Sequence, residues 1–200
     1  MKMSKVEKRF VNTRWHAQKN VKLIERLFSK LDLASITRVL EIGCGAGILA
    51  AHLSTTHEMI VVGTDVDPEQ IEIARTYHQE NENLKFIEAD ATRLPFLDNE
   101  FDMVLSFHVL HHIGKWDRAL EEINRVLKPQ GYFILSDFAY SRLTTKLLTH
   151  IVKTYGIYTI DDLTHFLTGH NFEVAHKEKR YEAVMKNYSI VFQKKQTESL

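Results

Sequence analysis

A short glycine-rich segment has the residue types and spacing that point most directly to chemistry. Three glycines alternate with small residues at 43–47 (GCGAG), directly after the apolar segment 38–42. Glycine lets the backbone turn sharply and leaves room for a ligand to lie against it. Asp65 stands 22 residues beyond Gly43, at the end of a second apolar segment that starts at 59. Because one carboxylate can accept hydrogen bonds from two neighbouring ribose hydroxyls, the combination predicts a nucleoside site.

The spacing of the glycines indicates which nucleoside binds. A dinucleotide site has the pattern G-x-G-x-x-G, whereas this chain has G-x-G-x-G followed by Ile48. The segment VLEIGCGAG at 39–47 resembles the first motif of the class I S-adenosylmethionine-dependent methyltransferases. The resemblance continues in chain order through Asp65, Asp90-Ala91, FDMVLSFHVLHHI at 101–113 and RALEEINRVLKPQGYFILSD at 118–137.

The last two segments resemble the type 11 subgroup, whose members act largely on small molecules. The similarity covers residues 36–137, about half of the chain. One departure is Gln130, where the family usually has glycine. We expect Gln130 to be harmless, with a backbone that avoids positive φ.

The resemblance implies a cofactor role for residues near the first two strands. Gly43 and Gly45 would lie under the methionine part of S-adenosylmethionine, and Glu41 would shape the loop. Asp65 would bind the ribose, and Val66 would pack against the adenine. Considered alone, Asp65 could instead have a structural role as a helix cap.

Further cofactor contacts are implied along the chain. Asp90 would accept a hydrogen bond from the adenine amino group, and Ala91 would donate one through its backbone. Phe107 would lie near the methionine and the sulfonium. In the N-terminal segment, Phe10, Arg14 and Trp15 are candidates for a lid, with Arg14 at the methionine carboxylate. Ordinary packing or a solvated helix face stays open as the alternative for these three.

Three histidines after the fourth predicted strand are candidate general bases, because the pKa of histidine lies near neutrality. They are His108, which we take as the leading candidate, His111 and His112. A base is needed only if the acceptor must lose a proton, and local packing of the histidines is the alternative. We predict no metal site, since His108 and His111 lack the further ligands that zinc requires. Cys44, inside the glycine turn, is expected to be a packed residue.

The acceptor is expected to be a small molecule. Enzymes that methylate base amino groups resemble one another in an Asn/Asp-Pro-Pro-aromatic run after the fourth strand, and this chain has Ser106-Phe107-His108-Val109 there. Lys plus Arg (26) balance Asp plus Glu (26), so nucleic acid is not an expected partner. Aromatic residues that could frame an apolar acceptor are Phe138, Tyr140, Tyr155 and Tyr158.

Alternating hydrophobic segments place these residues on an α/β fold. Five short apolar strands alternate with amphipathic helices up to Ser136, which predicts crossover units and a parallel sheet covered on both faces. Pro68 followed by Glu69 predicts the start of the helix after the second strand, since proline is tolerated at the first helical position. Asp117 is expected to cap the helix after the fourth strand, and the segment 128–131 (KPQG) to end that helix in a turn. Two extended runs, 172–181 and 187–194, predict a C-terminal antiparallel hairpin. The prediction is a doubly wound, mostly parallel seven-stranded sheet of the Rossmann-like methyltransferase type. We expect one domain over 1–200, with an N-terminal helical lid (1–35), a cofactor-binding core (36–137), and an acceptor-side helix and closing hairpin (138–200).

Composition is that of a globular enzyme: apolar residues make up 44% and charged residues 26% of the 200 residues. With a single cysteine and no signal-like or membrane-spanning apolar run, we expect a cytoplasmic protein. The predicted activity is methyl transfer by in-line displacement, which leaves S-adenosylhomocysteine. A catalytically silent binding protein and a methyltransferase for protein or RNA stay open, while the glycine spacing disfavours a nicotinamide-dependent oxidoreductase. Oligomeric state is not predicted.

Overall fold

The computed structural model describes the backbone of residues 14–148, 155–182 and 185–196, and the side chains of 18–145, 155–179 and 187–196. Within the chain, contacts cluster into two compact units, Met1–Asp90 and Ala91–Leu200. Each unit is built around buried strands, so each is described by itself.

The described part of the first unit, from residue 14 onward, contains three parallel strands and three helices. Its elements are α1 (Arg14–Phe28), β1 (Arg38–Ile42), α2 (Ile48–Thr56), β2 (Ile60–Asp65), α3 (Pro68–Tyr77) and β3 (Leu84–Glu88). Val39 pairs with Val61, and Val61 with Leu84. Helix α3 begins as the sequence predicts, because Pro68 is its first residue and Asp67 accepts a hydrogen bond from the Glu69 N–H. Each strand therefore ends at the same edge of this part of the sheet.

The second unit combines parallel strands with the closing hairpin. Its elements are β4 (Phe101–Phe107), a 3₁₀ turn (Leu110–His112), α4 (Trp116–Val126), β5 (Leu127–Phe138), α5 (Arg142–Leu148), α6 (Ile160–Gly169), β6 (Phe172–Glu182) and β7 (Met185–Lys194). Strands β4 and β5 are parallel, and β5–β7 and β6–β7 are antiparallel. A capping box between Thr159 and Asp162 starts α6. The predicted helix and hairpin are both present.

The strands have the order β3-β2-β1-β4-β5-β7-β6 in a seven-stranded sheet. This order confirms the predicted doubly wound, mostly parallel α/β fold with a C-terminal antiparallel hairpin. The single-domain description and its internal boundaries stay predictions. No helix in the described ranges is long and apolar enough to cross a membrane.

Two local expectations were wrong. Gln130 has φ 66°, in the left-handed region that we expected it to avoid. The cause is an irregularity between β4 and β5: Phe101 pairs with Leu127, whereas Met103 already pairs with Tyr132. Strand β5 therefore begins before the segment that we took for a turn. At the second site, α4 begins at Trp116 after Lys115, so Asp117, which we expected to cap the helix, lies inside its first turn.

Candidate functional site

The glycine loop between β1 and α2 has a backbone conformation that residues with a side chain rarely adopt. Gly43, Gly45 and Gly47 have φ values of 68°, 52° and 75°. Hydrogen bonds from the Cys44 N–H to the Thr64 carbonyl (2.8 Å) and from the Gly47 N–H to the Cys44 carbonyl (2.9 Å) hold the turn. The three glycines are thus required by conformation, and they leave peptide groups without a covering Cβ.

Asp65, at the end of β2, fastens this loop. Its Oδ2 accepts a hydrogen bond from the Gly45 N–H at 3.1 Å, and its Oδ1 accepts one from the Asp67 N–H at 3.0 Å. Burial raises the pKa of Asp65, and these two hydrogen bonds oppose the rise. A carboxylate oxygen has more than one acceptor site, so both oxygens retain capacity for a ligand hydroxyl.

Glu41, in the strand that leads into the loop, is a buried acid with a strongly raised pKa. Burial raises its pKa to about 8, and the nearby charge of Asp65 adds to the rise. Its Oε2 is buried and has no hydrogen-bond partner among the described residues. A buried polar atom without a partner is costly, so this oxygen fits a ligand that brings a donor or a positive charge.

The Cys44 thiol in the same loop is unsuited to nucleophilic chemistry. Burial raises its pKa well above the ordinary value, and the charges of Glu41 and Asp65 raise it further. Because the thiolate is the reactive form, the thiol stays inert near neutral pH. This agrees with the prediction of a packed cysteine.

The remaining predicted cofactor residues lie at or beyond strand ends. The Ala89 N–H donates to the Asp65 carbonyl at 3.0 Å, which brings the ends of β2 and β3 together. Val66 is 41% exposed, so its side chain is accessible to a ligand. Asp90 is also exposed. In the second unit, Ala91 and Phe107 are buried. For Arg14, only the backbone, at the start of α1, is described; its side chain, that of Trp15 and all of Phe10 lie outside the described residues.

His108 follows β4 with a backbone that a non-glycine residue seldom adopts. Its φ is 59°, its N–H donates to the Ser136 carbonyl at 2.7 Å, and its ring centroid lies 5.1 Å from that of Phe138. A left-handed residue with a Cβ costs on the order of 1–2 kcal/mol. Such strain is often concentrated at functional sites, which supports a role for this segment.

His111 forms a dyad with Asp137 that the sequence did not reveal. Its Nδ1 lies 2.5 Å from Oδ1 of Asp137, and its backbone N–H donates to Oδ2 at 3.2 Å. Burial alone would raise the pKa of Asp137, but the charge of His111 and the hydrogen bond outweigh it and lower the pKa. Asp137 is therefore an ionised, buried carboxylate that holds the imidazole. When Nδ1 carries the shared proton, Nε2 is the atom that can accept another.

Aromatic side chains surround this dyad. The Phe138 ring centroid lies 5.1 Å from that of His111, and Tyr155 lies 6.2 Å from His112. Burial, followed by the charge of Asp137, raises the pKa of Tyr158 well above its ordinary value. The Tyr140 N–H donates to the Tyr158 carbonyl at 3.1 Å. Burial, followed by the charge of Asp137, also raises the pKa of Tyr140. All four predicted aromatic residues are thus close to the histidines or the aspartate.

Gly156 holds that aromatic segment against the 3₁₀ turn. Its N–H donates to the His111 carbonyl at 3.0 Å. A Cβ at this position would collide with the backbone oxygens of Leu110 and Ile113. Only glycine allows this approach, which places Tyr155 and Tyr158 beside the dyad.

Comparison with known proteins shows that this chain is similar to methyltransferases. The sequence model of a methyltransferase domain family matches residues 40–135. The 27-O-demethylrifamycin SV methyltransferase of Amycolatopsis mediterranei is 35% identical over 120 residues, 58% of this chain and 44% of the relative. The fatty-acid O-methyltransferase of Mycolicibacterium smegmatis is 40% identical over 101 residues, 50% of this chain and 36% of the relative. The chain thus spans less than half the length of these two relatives.

The fold agrees with that family. The crystal structure of the YcgJ protein of Bacillus subtilis superposes with a TM-score of 0.72 at 19% identity, covering 86% of this chain and 98% of the other. An identity this low carries information about the fold alone. The matched domain and the motif order along the sequence carry the family resemblance: residues 40–135 are similar to the methyltransferase domain family, in line with the class I S-adenosylmethionine-dependent methyltransferases of type 11.

Proposed function

We propose that this protein transfers a methyl group from S-adenosylmethionine to a small molecule with an acidic hydroxyl or carboxyl group. The observation that carries the cofactor assignment is the buried Glu41 Oε2 without a partner, in the strand leading to a loop of three left-handed glycines. The glycines would accommodate the methionine part, Asp65 and Asp90 the ribose and adenine amino group, and Val66 the adenine face. Ala91, Phe107 and Arg14 stay predicted contacts.

S-adenosylmethionine, when bound, supplies an electrophilic methyl group on a sulfonium, and the chain's task is to position and activate the acceptor. We infer that His111, and not His108, is the general base. The Asp137 carboxylate fixes Nδ1 as the protonated nitrogen, so Nε2 accepts the proton of the acceptor. Asp137 also stabilises the imidazolium that results. His108 stays a candidate for positioning, since its backbone is tied to Ser136.

The residues around the His111–Asp137 dyad favour an apolar or aromatic small molecule as the methyl acceptor. Phe138, Tyr140 and Tyr155 surround the His111–Asp137 dyad and are each only partly buried. Two relatives are named for a rifamycin derivative and a fatty acid, both carrying oxygen acceptors. We therefore propose O-methylation, with the acceptor oxygen aligned for in-line displacement.

Two measurements test the proposal separately. Calorimetry with S-adenosylhomocysteine should give micromolar binding that is abolished in Asp65→Ala and retained in the surface control Asp161→Ala. A screen of phenols, hydroxy acids and fatty acids should yield S-adenosylhomocysteine, with the rate falling about 10²-fold or more in Asp137→Asn. Absence of binding to the unmodified chain would overturn the cofactor assignment. Binding without turnover over the whole screen would instead indicate a silent binding protein.

A further inference from the structure

A second cluster of ligating side chains lies in the first unit, apart from the glycine loop in sequence. Glu25 of α1 faces His52 of α2 and His57, the residue that ends α2. Nε2 of His52 and Nε2 of His57 each lie 2.7 Å from the same oxygen, Oε1 of Glu25. Among the residues that the structure describes, this is the group of three whose ligand atoms all lie within 4.8 Å of one another.

Neighbouring groups fix the orientation of both imidazoles. Nδ1 of His52 lies 3.3 Å from Oγ1 of Thr56. The Phe28 ring packs edge-on against His57, with centroids 5.2 Å apart and an interplanar angle of 81°. Metal-bound histidines generally have such a support for the ring and for the second nitrogen. Both Nε2 atoms are therefore held toward one point.

We propose that Glu25, His52 and His57 form a Zn²⁺ site that links α1 to α2. Two imidazole nitrogens and one carboxylate oxygen are a common zinc ligand set, with a water molecule in the fourth position. Ligand atoms about 2.0–2.1 Å from a tetrahedral ion lie roughly 3.3 Å apart. The present separations of 2.7 Å thus need to widen by only about 0.6 Å, which side-chain rotation supplies.

The charges and protons balance. Zn²⁺ takes the place of the Nε2 protons now directed at Glu25. Each imidazole changes tautomer and carries its one proton on Nδ1, so both rings stay neutral and no net proton is released. One carboxylate then offsets one of the two positive charges. The exposed fractions of the side chains, 24% for His52, 22% for His57 and 41% for Glu25, leave a path for the ion and its water. The site lies outside the proposed methyl-transfer chemistry.

The competing explanation is a hydrogen-bonded tie without a metal, in which both imidazoles simply donate to one carboxylate oxygen. Glu25→Gln separates the two explanations. The amide keeps an oxygen acceptor for both imidazoles but loses the negative charge that a metal ligand supplies. His57→Gln removes a ligand outright, and His165→Gln on α6, an exposed histidine, is the matched control.

The experiment titrates Zn²⁺ into the metal-free chain against a chromophoric chelator. Wild-type protein and His165→Gln should bind one equivalent with the same affinity, and Glu25→Gln and His57→Gln should bind at least about 100-fold more weakly. Co²⁺ should give the visible bands of tetrahedral coordination in wild type and in His165→Gln, and in neither of the two site variants. Equal zinc affinity in wild type and Glu25→Gln, or no zinc binding by wild type, would overturn the site. Neither readout depends on methyl transfer, so the two proposals fail separately.

Discussion

Gly47 offers a stringent test of how the glycine loop is built. A Cβ placed on Gly47 would lie 2.6 Å from both Cε1 and Cζ of Phe86 and 3.0 Å from the Cβ of Ala74. Phe86 and Ala74 are fully buried, so neither can move into free space. Gly47 also has φ 75°, which disfavours any side chain. Gly47→Ala therefore combines a steric clash with backbone strain.

The expected loss of unfolding free energy in Gly47→Ala is the sum of two contributions. A left-handed alanine costs about 1–2 kcal/mol, and forcing a methyl group into a packed core costs about 1–3 kcal/mol. We expect Gly47→Ala to lower the free energy of unfolding by about 2–5 kcal/mol in urea titrations. Gly169→Ala is the matched control, because nothing lies within 4 Å of its added Cβ at the end of α6. It should be neutral or slightly stabilising.

The two contributions can be separated with a shorter side chain at Phe86. In a Phe86→Leu background the ring atoms that cause the clash are gone, while the backbone strain persists. Gly47→Ala should then cost only about 1–2 kcal/mol relative to that background. A loss under about 1 kcal/mol in the wild-type background would refute the steric reasoning. An equal loss in both backgrounds would show that Phe86 plays no part.

Three further predictions concern individual residues. Asp137→Asn should lower kcat about 10²-fold or more with little change in cofactor affinity, because the amide no longer fixes the His111 tautomer. Initial rates measure kcat, calorimetry measures the cofactor affinity, and His112→Gln is the control. Burial raises the folded-state pKa of Glu41 to about 8 from 4.5, so the unfolded chain loses this proton first as the pH rises. The free energy of unfolding should therefore fall between about pH 4.5 and 8, and Glu41→Gln should flatten the fall, on the order of a few kcal/mol; equal slopes would contradict this. Gln130→Gly should raise the free energy of unfolding by about 0.5–1 kcal/mol, since Gln130 has φ 66°; destabilisation would show that its side chain contributes more than the strain costs.

Local sequence patterns predicted the parts of the structure that depend on near neighbours. The glycine turn, the start of α3 at Pro68, the acceptor-side helix and the closing hairpin all follow from residues a few positions apart. Positive φ at Gln130 did not follow, because it depends on how β4 and β5 align.

Long-range pairs were beyond the sequence. His111 and Asp137 are 26 positions apart in the sequence. No spacing rule identifies which of the three histidines forms the hydrogen bond to the Asp137 carboxylate. The proposed zinc ligands Glu25, His52 and His57 do not stand out in the sequence for the same reason. They come from two helices, and the interval of five between the histidines matches no familiar metal motif.

The tight approach of Gly156 to the 3₁₀ turn has a consequence for how acceptor preference can diverge. The backbone oxygens of Leu110 and Ile113 occupy the space that a side chain at position 156 would need. Gly156 therefore cannot be replaced by a larger residue without moving the backbone. On the proposed acceptor site, a change of acceptor preference is therefore expected at neighbouring aromatic positions, such as Tyr140 and Tyr155, and not at Gly156.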